Sequence, residues 1–372
     1  MQSELFIGLM SGTSLDGIDA ALVSFDAADH SVQLHKTCEF EFPQDIHTKL
    51  RHVVETTNGV DSQQLKELDD ELGLLYASSV NSLLKAASIS ANDVSAIGCH
   101  GQTVDHQPDA NPPFSLQLGS GEIIARATGI TTVNDFRRAD IEAGGQGAPL
   151  APGFHEWAFG QQTSASAIVN IGGIANITIL SPDEPVKGYD TGPGNTLLDL
   201  WCHEHTQKPF DNNGAWGNRG NRDSALLKQL LQEPYLSRTP PKSTGRELFN
   251  LQWLKKMFSE NGLKLAPRDV QATLTEFTAQ TIATAAQRCA AKQIWICGGG
   301  ARNAFLMGRL AANLQNCSVM TTDRAGIPAD WVEAIAFAWL ASARLAGIPT
   351  GIPSVTGARS AELLGKIHLS TP

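Results

Sequence analysis

The N-terminal part of the chain places a polar turn between two apolar runs. Apolar residues dominate Leu5–Leu9 and Ile18–Phe25, and the segment Met10–Gly17 between them reads MSGTSLDG. Two such runs around a turn of Gly, Ser, Thr and Asp predict a β-hairpin. The pattern returns at Ala167–Leu180, where Gly172-Gly173 interrupts the apolar run. We therefore predict two glycine-turned hairpins, each opening a domain of an internally duplicated architecture.

Helical and strand patterns alternate in the rest of the chain. Leucines at helical spacing predict a helix over Ser62–Ser88, and the apolar run Val94–Gly98 predicts a strand. The region 181–222 is dense in Gly, Asn, Asp and Pro, so we predict loops there. Further helices are predicted over Leu251–Glu260, Asp269–Ala290, Ala304–Leu314 and Asp330–Leu345, and further strands over Gln293–Cys297 and Asn316–Thr321. This alternation indicates an α/β fold.

The length of the chain predicts two domains. It has 372 residues, of which 42% are hydrophobic and 18% are charged, and a globular domain takes roughly 150 residues. We place the boundary near Arg137-Arg138 and the loop Gly144–Gly147, because these segments separate two strand–helix regions. The predicted domains are 1–140 and 141–372, and we expect the C-terminal tail to pack back on the first. Two segments, 157–166 and the tail after Leu345, carry no distinctive pattern.

Charge and cysteine usage exclude several classes of protein. The net charge of −10 argues against a nucleic-acid partner, although a small anionic ligand needs only a few local donors. The six cysteines include no CxxC pair, which gives no support to a zinc ribbon and favours buried thiols in a reducing compartment. We see neither a signal peptide nor an apolar run of the ~18 residues that a membrane helix needs. We expect a soluble, cytoplasmic protein.

Several familiar catalytic motifs are absent from the sequence. GxxxxGK[ST], GxGxxG and GxSxG do not occur, which argues against a P-loop enzyme, a dinucleotide-binding Rossmann unit and an α/β-hydrolase. His203-Glu204-His205 is not HExxH. We interpret it as a solvated turn rather than a metal site, because the two histidines would face apart on a helix.

The turn of the first hairpin is the first candidate site. Backbone N–H groups of a tight glycine turn can form an anion nest, to which Thr13 and Ser14 add hydroxyl donors. Asp16 and Asp19 are suited to a hydrated Mg²⁺. The alternative is a surface hairpin in which Asp16-Gly17 only makes the turn, and the residues alone favour neither interpretation.

Two glycine-rich segments in the second half are further candidates. In the segment Gly188–Asn195, Asp190 lies in a rigid turn that suits a general base, and the alternative is an Asx turn. The segment Cys297–Asn303 runs from a strand through three glycines into a helix. That arrangement suits an anion or a nucleotide, and the alternative is an ordinary β–α connection.

Polar residues in the first half form a fourth candidate. Gly98–Thr103, Asp135–Asp140 and Gly144–Pro149 each follow a predicted strand, where open α/β sheets place ligand groups. His and Arg in these turns suit a sugar or a carboxylate, whereas a solvated loop is the alternative for the Arg pair. By spacing alone, Thr244–Glu247 and Asp330–Glu333 are interpreted as helix capping boxes.

Nine segments of the chain together resemble one protein family. They are Met10–Gly17, Gly98–Thr103 (GCHGQT), Asp135–Arg138, Gly144–Leu150 (GGQGAPL), Asn170–Asn176 (NIGGIAN), Tyr189–Asn195 (YDTGPGN), Lys242–Glu247 (KSTGRE), Cys297–Asn303 (CGGGARN) and Glu333–Trp339. In this order, over nearly the whole chain, they resemble the anhydro-N-acetylmuramic acid kinases of bacterial cell-wall (peptidoglycan) recycling. The resemblance implies a two-domain actin-like ATPase (ribonuclease H-like) fold, with a five-stranded sheet in each domain and an interdomain nucleotide cleft.

The resemblance also implies roles for individual residues. Nucleotide binding falls to the first hairpin turn (Ser11, Gly12, Thr13, Ser14, Leu15, Asp16, Gly17, Ile18, Asp19), to the second (Gly172, Gly173, Asn176) and to the later glycine loop (Gly298, Gly299, Gly300, Asn303). Sugar binding falls to His100, Arg137, Asp140, Gly192 and Glu333. Asp190 matches the catalytic base, and Asp16 and Asp19 are expected to hold Mg²⁺ through water.

The implied reaction uses ATP and Mg²⁺ to open and phosphorylate 1,6-anhydro-N-acetylmuramic acid, giving N-acetylmuramic acid 6-phosphate and ADP. A homodimer is expected. One alternative is a hydroxyl kinase of the same fold that acts on an open amino sugar, with Asp190 deprotonating a hydroxyl. Another is a nucleotide-switched chaperone or scaffold. We expect no Hsp70-type version of it, which would need a peptide-binding domain for which 372 residues leave no room.

Overall fold

The computed structural model describes residues 4–12, 15, 17–56, 61–108, 110–240, 242–261 and 264–370, with the backbone alone at 259–261. These residues form two compact units. The first comprises Met1–Ala158 and Trp331–Pro372, and the second comprises Phe159–Asp330. The predicted boundary at 140/141 thus differs from the division that the structure shows, because the chain stays in the first unit to Ala158 and returns to it at Trp331.

The strands are β1 (Leu5–Ser11), β2 (Gly17–Asp26), β3 (Ser31–Glu41), β4 (Val94–Gln107), β5 (Phe114–Leu118), β6 (Thr132–Asn134), β7 (Ser166–Ile171), β8 (Ile174–Ser181), β9 (Glu184–Pro193), β10 (Gln293–Cys297), β11 (Ser318–Thr321) and β12 (Lys366–His368). The helices are α1 (Gln44–Glu55), α2 (Ser62–Ala87), α3 (Gly121–Thr128), α4 (Arg138–Glu142), α5 (Ala151–Phe159), α6 (Thr196–Thr206), α7 (Ser224–Leu230), α8 (Pro234–Ser237), α9 (Leu251–Asn261), α10 (Pro267–Arg288), α11 (Ala304–Asn313), α12 (Val332–Leu345) and α13 (Pro353–Thr356).

The two sheets share one topology. In the first unit the order is β12-β6-β4-β1-β2-β3, with β5 paired to β4. In the second unit the order is β11-β10-β7-β8-β9. In each unit the hairpin and the next strand pair antiparallel, and the two later strands pair in parallel on the other side of the first strand. This repeat confirms the duplicated hairpins. The expected five strands are found in the second unit, whereas β5 and β12 extend the first sheet beyond five.

Helix α12 packs close to the first sheet because two strand positions are glycines. A Cβ atom on Gly8 would lie 1.7 Å from the carbonyl oxygen of Ala334, and one on Gly98 would lie 1.9 Å from that of Phe337. Any side chain would therefore push the helix away from β1 and β4. This contact explains why the segment from Trp331 onward belongs to the first unit.

Each unit has a hydrophobic core of its own. In the first, Leu72, Tyr76 and Val80 of α2 pack on residues of β1, β2 and β4. In the second, Ile282 and several alanines of α10 pack on β7, β8 and β10. In the described part of the chain, no helix is both long enough and apolar enough to span a bilayer. All six cysteines are free thiols, and Cys99, Cys202 and Cys297 are buried.

Most of the predicted elements are confirmed, with one clear error in the region 181–222. That region contains strand β9 and helix α6 rather than loops. The ladder from β8 to β9 overrides the turn-forming composition of the segment. His203 and His205 consequently lie in the last turn of α6 and not in a solvated turn. Among the described residues, no group of three or more His, Cys, Asp or Glu is arranged to hold a metal ion.

Candidate active site

Strand register brings three polar residues side by side in the second unit. Asn170 of β7 pairs with Asn176 of β8, and Asn176 pairs with Asp190 of β9. Paired residues point to the same face of a sheet, so Asp190 continues a row of two amides. Asp190 and Asn176 belong to separate motifs of the sequence, and strand pairing brings them side by side.

The segment Lys242–Glu247, together with Tyr235, fixes Asp190 from outside the sheet. The N–H of Thr244 donates to Asp190 Oδ2 at 3.0 Å, and the N–H of Asp190 donates to the carbonyl of Lys242 at 3.2 Å. The hydroxyl of Tyr235 donates to the carbonyl of Asp190 at 2.7 Å. The carboxylate is thus held by backbone geometry on both sides, as a general base requires.

The interpretation of Thr244–Glu247 as a capping box is wrong. The next helix, α9, begins only at Leu251, and the N–H of Thr244 serves the carboxylate of Asp190 instead. The second predicted capping box fails as well. Helix α12 has Trp331 at its N-cap without a side-chain cap, and Asp330 accepts hydrogen bonds from Arg302.

Burial raises the pKa of the Asp190 carboxyl from its ordinary 3.8 to about 6. The hydrogen bond from the N–H of Thr244 lowers this pKa, the negative charge of Glu247 raises it, and the positive charge of Lys242 lowers it. A carboxylate whose pKa lies near neutrality is a stronger base than an exposed one and is still ionised at pH 7. Asp190 therefore has the protonation behaviour that proton abstraction needs.

The β7–β8 turn is tied to the start of α6. The N–H groups of Gly194 and Thr196 donate to the carbonyl of Gly173 at 2.9 and 3.0 Å, and that of Asn195 donates to the carbonyl of Gly172 at 2.8 Å. Within the described part of the chain, the N–H groups of Gly172 and Gly173 donate no hydrogen bond. Bare amides in a glycine turn are suited to a phosphate group.

The Gly298–Gly300 loop lies against the same end of β7. Gly298 has φ +77°, and a Cβ atom there would lie 2.2 Å from Asn170 Oδ1. A Cβ atom on Gly300 would lie 2.3 Å from Ile171 Cγ2. Close approach to β7 thus requires glycine at both positions, which fits a tight β–α connection and a nucleotide loop alike. The structure brings this loop and the β7–β8 turn together.

Two of the expected ligand residues have structural contacts of their own. Asn303 caps helix α11, since its Oδ1 accepts from the N–H of Leu306 at 3.0 Å. Gly192 is buried, and a Cβ atom there would lie 3.3 Å from Leu236 Cδ2 and 3.4 Å from Thr281 Cγ2. The contacts of both residues are therefore with neighbouring protein groups.

In the first unit, Thr13, Ser14 and Asp16 lie outside the described residues. Ser11 is buried, and its hydroxyl lies 2.5 Å from the hydroxyl of Tyr76 and donates to the carbonyl of Gly101 at 3.1 Å. The side-chain amide of Gln102 donates to the carbonyl of Gly12 at 3.1 Å. These contacts fix the backbone at the end of β1.

The other residues of this turn differ in exposure. Leu15 and Ile18 are buried apolar residues of the core, so a ligand would meet their backbone only. A Cβ atom on Gly17 would lie 2.2 Å from the carbonyl oxygen of Phe40, which requires glycine where β2 meets β3. Asp19 lies on β2 opposite Met10 and is half-buried.

Three of the expected sugar-binding residues form one group in the first unit. Arg137 donates from Nη2 to His100 Nε2 at 2.8 Å and from Nη1 to the carbonyl of Gly147 at 2.7 Å. Burial, together with the charge of Arg137, lowers the pKa of His100 to about 3, so the imidazole is neutral and carries its proton on Nδ1. The charge of Glu333 at the start of α12 supports the cationic form of Arg137.

Asp140 stabilises the group of His100 and Arg137 indirectly, through the loop that contains Gly147. It is fully buried. Its Oδ2 accepts from the N–H of Gly147 at 2.7 Å, and its Oδ1 accepts from the hydroxyl of Thr356 at 2.7 Å. Asp140 thereby fixes the loop whose Gly147 carbonyl binds Arg137.

Several residues that shape these groups cannot be identified from the sequence. Tyr76 lies in the leucine-rich helix α2. Nothing in the sequence pattern of that helix indicates that its hydroxyl contacts Ser11. Gln102 and Thr244 lie inside quoted motifs, yet only the fold shows that each positions a neighbour. Tyr235 lies in the short helix α8, for which no periodic signal exists.

Two sheets of one topology, each opened by a glycine-turned hairpin, and a half-buried carboxylate in the same unit as two glycine turns are the features expected of an actin-like phosphotransferase. The family model described as "Anhydro-N-acetylmuramic acid kinase" matches residues 4–370. The chain therefore belongs to the anhydro-N-acetylmuramic acid kinase family, which confirms the resemblance and the prediction of a kinase.

Curated relatives agree with this assignment. A protein of Vibrio vulnificus (strain CMCP6) named anhydro-N-acetylmuramic acid kinase is 48% identical over 368 residues, which cover 98% of each chain. One of the same name from Pasteurella multocida (strain Pm70) is 47% identical, covering 98% of this chain and 96% of the relative. Among solved structures, component A of the (R)-2-hydroxyglutaryl-CoA dehydratase of Acidaminococcus fermentans matches with a TM-score of 0.48 and 12% identity over 90% of this chain and 96% of that one. That likeness is too weak to bear on function.

Proposed function

We propose that this kinase converts 1,6-anhydro-N-acetylmuramic acid, water and ATP into N-acetylmuramic acid 6-phosphate and ADP, in bacterial cell-wall recycling. The observation that supports it best is the carboxylate of Asp190, which the N–H of Thr244 holds at 3.0 Å, roughly 10 Å from a glycine turn with unused amides. A base fixed beside a phosphate site is what a coupled water attack and phosphoryl transfer require.

Asp190 takes the proton of a water molecule that attacks the anomeric carbon C1. The bond from C1 to the bridging oxygen O6 breaks, and its electron pair stays on O6. O6 then bonds to the γ-phosphorus of ATP as ADP leaves. General-base catalysis of this kind contributes roughly 10²–10⁴-fold, and the amides of Gly172 and Gly173 stabilise charge on the phosphoryl group.

The first hairpin and the Gly298–Gly300 loop, each within its own unit, are further proposed nucleotide contacts. At the first hairpin, Gly12 contributes backbone, because Ser11 is engaged with Tyr76. Mg²⁺ keeps several waters and takes few protein ligands, and the half-buried carboxylate of Asp19 fits that donor set, with Asp16 outside the described residues. When bound, the ion neutralises phosphate charge during transfer.

The pair formed by His100 and Arg137 is proposed to bind the sugar. Arg137 Nε is buried and has no hydrogen-bond partner within the described residues, and a guanidinium with a spare donor suits a carboxylate such as that of the lactyl group. Glu333 is the further proposed contact. Asp140 and Gly192 act by shaping the backbone, since their own contacts are with protein groups.

A cytoplasmic location and a homodimer belong to the same proposal. Six free thiols fit a reducing compartment, and ATP as a substrate fits the cytoplasm. Light scattering on the purified chain tests the dimer, and a monomeric mass would contradict it.

A substrate comparison tests the reaction. The enzyme is incubated with Mg-ATP and either the anhydro sugar or open N-acetylmuramic acid, and ADP release is measured. We expect turnover of the anhydro form. Turnover of the open sugar alone would instead establish the hydroxyl kinase, in which Asp190 deprotonates a sugar hydroxyl.

A further inference from the structure

The guanidinium of Arg246 lies beside the β7–β8 glycine turn. A Cβ atom on Gly173 would be 3.8 Å from Arg246 Nη2 and 3.9 Å from Arg246 Nε. The bare backbone of Gly173 therefore leaves the space next to the guanidinium open. The same Cβ atom would lie 2.8 Å from the hydroxyl of Thr196, so any residue other than glycine would crowd this space.

The chain on both sides of Arg246 is anchored, but the guanidinium is not. Thr244 is bonded to the carboxylate of Asp190, and the carbonyl of Arg246 accepts from the side-chain amide of Asn250 at 3.1 Å. The ammonium of Lys242 donates to the carbonyls of Tyr235 and Leu236 at 3.3 and 3.2 Å. No hydrogen bond or ion pair of the Arg246 guanidinium occurs within residues 4–370 as far as the structure describes them.

We propose that Arg246 contacts the phosphoryl group that is transferred from the nucleotide, as a catalytic residue of the reaction. This proposal rests on the proposed function, because it takes the Gly172–Gly173 turn as a phosphate site. A guanidinium fork matches the geometry of phosphate oxygens. It is useful only if its donors are not already occupied, and those of Arg246 meet that condition within the described residues.

The spacing of the elements supports this role. Asp190 pairs with Asn176, and Gly173 lies three residues earlier in the chain, which is roughly 10 Å along an extended strand. In the proposed reaction the base, the attacking water, C1, O6 and phosphorus follow one another. The separations from base to water, from water to C1 and from O6 to phosphorus are about 3 Å each, so together with the C1–O6 bond the series also spans roughly 10 Å. Within the segment Lys242–Glu247, Thr244 therefore contacts the base Asp190, and Arg246 lies beside the turn where the phosphoryl group is proposed to bind.

The contact between Arg246 and the phosphoryl group neither forms nor breaks a covalent bond. The bond from the γ-phosphorus to the bridging oxygen of ADP breaks, and its electron pair leaves with ADP. The bond from phosphorus to O6 forms with the electron pair released from C1, and the water proton goes to Asp190. The guanidinium stays protonated throughout and stabilises the charge on the equatorial phosphoryl oxygens.

The test is a set of steady-state and binding measurements on Arg246→Met and Arg246→Lys. We expect Arg246→Met to lower kcat at least ~10²-fold, the usual loss when one preorganised donor is removed. The Kd of ADP, which lacks the transferred group, should stay within about 3-fold, because the lost contact is to the γ-phosphoryl group. The kcat of Arg246→Lys should lie between those of the parent and of Arg246→Met, because lysine keeps the positive charge and lacks the guanidinium fork.

Arg268→Met is the matched control. Arg268 is also an exposed arginine of the second unit. It lies in the first turn of α10, ten residues or about 15 Å from Thr278, whose hydroxyl donates to the carbonyls of Pro193 and Gly194. Its kinetics should match those of the parent enzyme, and thermal unfolding checks that each variant is folded.

Two results would overturn the proposal. One is a kcat of Arg246→Met, or of Arg246→Lys if the former does not fold, within about 3-fold of the Arg268→Met control. The other is an equal loss of affinity for ADP and for a non-hydrolysable ATP analogue, which would place the contact elsewhere on the nucleotide. A parent enzyme that does not turn over the anhydro sugar would instead contradict the proposed function, so the two failures are distinguishable.

Discussion

Replacing Asp190 by Asn should abolish turnover and at the same time make the folded protein more stable near neutral pH. Burial shifts the pKa of this carboxyl from 3.8 to about 6, which corresponds to about 3 kcal/mol of unfavourable free energy when the group is ionised. Between these two pKa values the unfolded chain is ionised while the folded chain holds the proton. The cost is therefore absent well below pH 3.8, reaches roughly half its full value near pH 5 and is about 3 kcal/mol at pH 8.

Asparagine removes the charge and keeps an oxygen that accepts from the N–H of Thr244. The variant should consequently be more stable than the parent, by a margin that grows by roughly 1 kcal/mol from pH 5 to pH 8. An amide cannot take the water proton, so kcat should fall at least ~10²-fold. Urea unfolding at both pH values gives the first quantity, and ADP release gives the second. A margin that shrinks as pH rises would refute the assigned pKa, and turnover within a few-fold of the parent would refute the base.

Three further changes test neighbouring groups. Lys242→Met should raise the pKa below which kcat falls, and Glu247→Gln should lower it, because the two charges act on the Asp190 carboxyl in opposite directions. If the kcat–pH profiles of both variants move in the same direction, this explanation is contradicted. Gly298→Ala should cost about 1–3 kcal/mol of folding stability and weaken nucleotide binding, since its Cβ atom would lie 2.2 Å from Asn170 Oδ1; unchanged calorimetric affinity and melting temperature would argue against a required glycine. Gly12→Val should raise the KM for ATP, because a β-branched side chain blocks backbone approach, and an unchanged nucleotide affinity in the folded variant would reduce this turn to a structural one.

Local patterns carry much of the fold of this protein. The hairpins and the strand Gln293–Cys297 follow from apolar runs bounded by glycine turns, because these signals lie within a few residues. Strand β9 is different. Its glycines and aspartate resemble a loop, and only the ladder to β8 makes it a strand, so tertiary pairing decides it.

The candidate site divides in the same way. Glycine positions and Asp190 could be named from motifs, whereas the partners that give them their properties could not. The N–H of Thr244 reaches Asp190 across 54 residues, and the hydroxyl of Tyr76 reaches Ser11 across 65. Contacts of that separation depend on the folded topology, which no local spacing specifies.

The origin of the new oxygen at C1 tests the central claim most directly. The reaction is run with the anhydro sugar and Mg-ATP in ¹⁸O-water, and the product is analysed at early times against a no-enzyme control, because reducing sugars slowly exchange this oxygen. We predict one heavy oxygen at C1 of the sugar phosphate and none in the bridge between C6 and phosphorus. Product without enzymatic incorporation at C1, or good turnover of open N-acetylmuramic acid with little of the anhydro form, would contradict the coupled ring opening and phosphorylation.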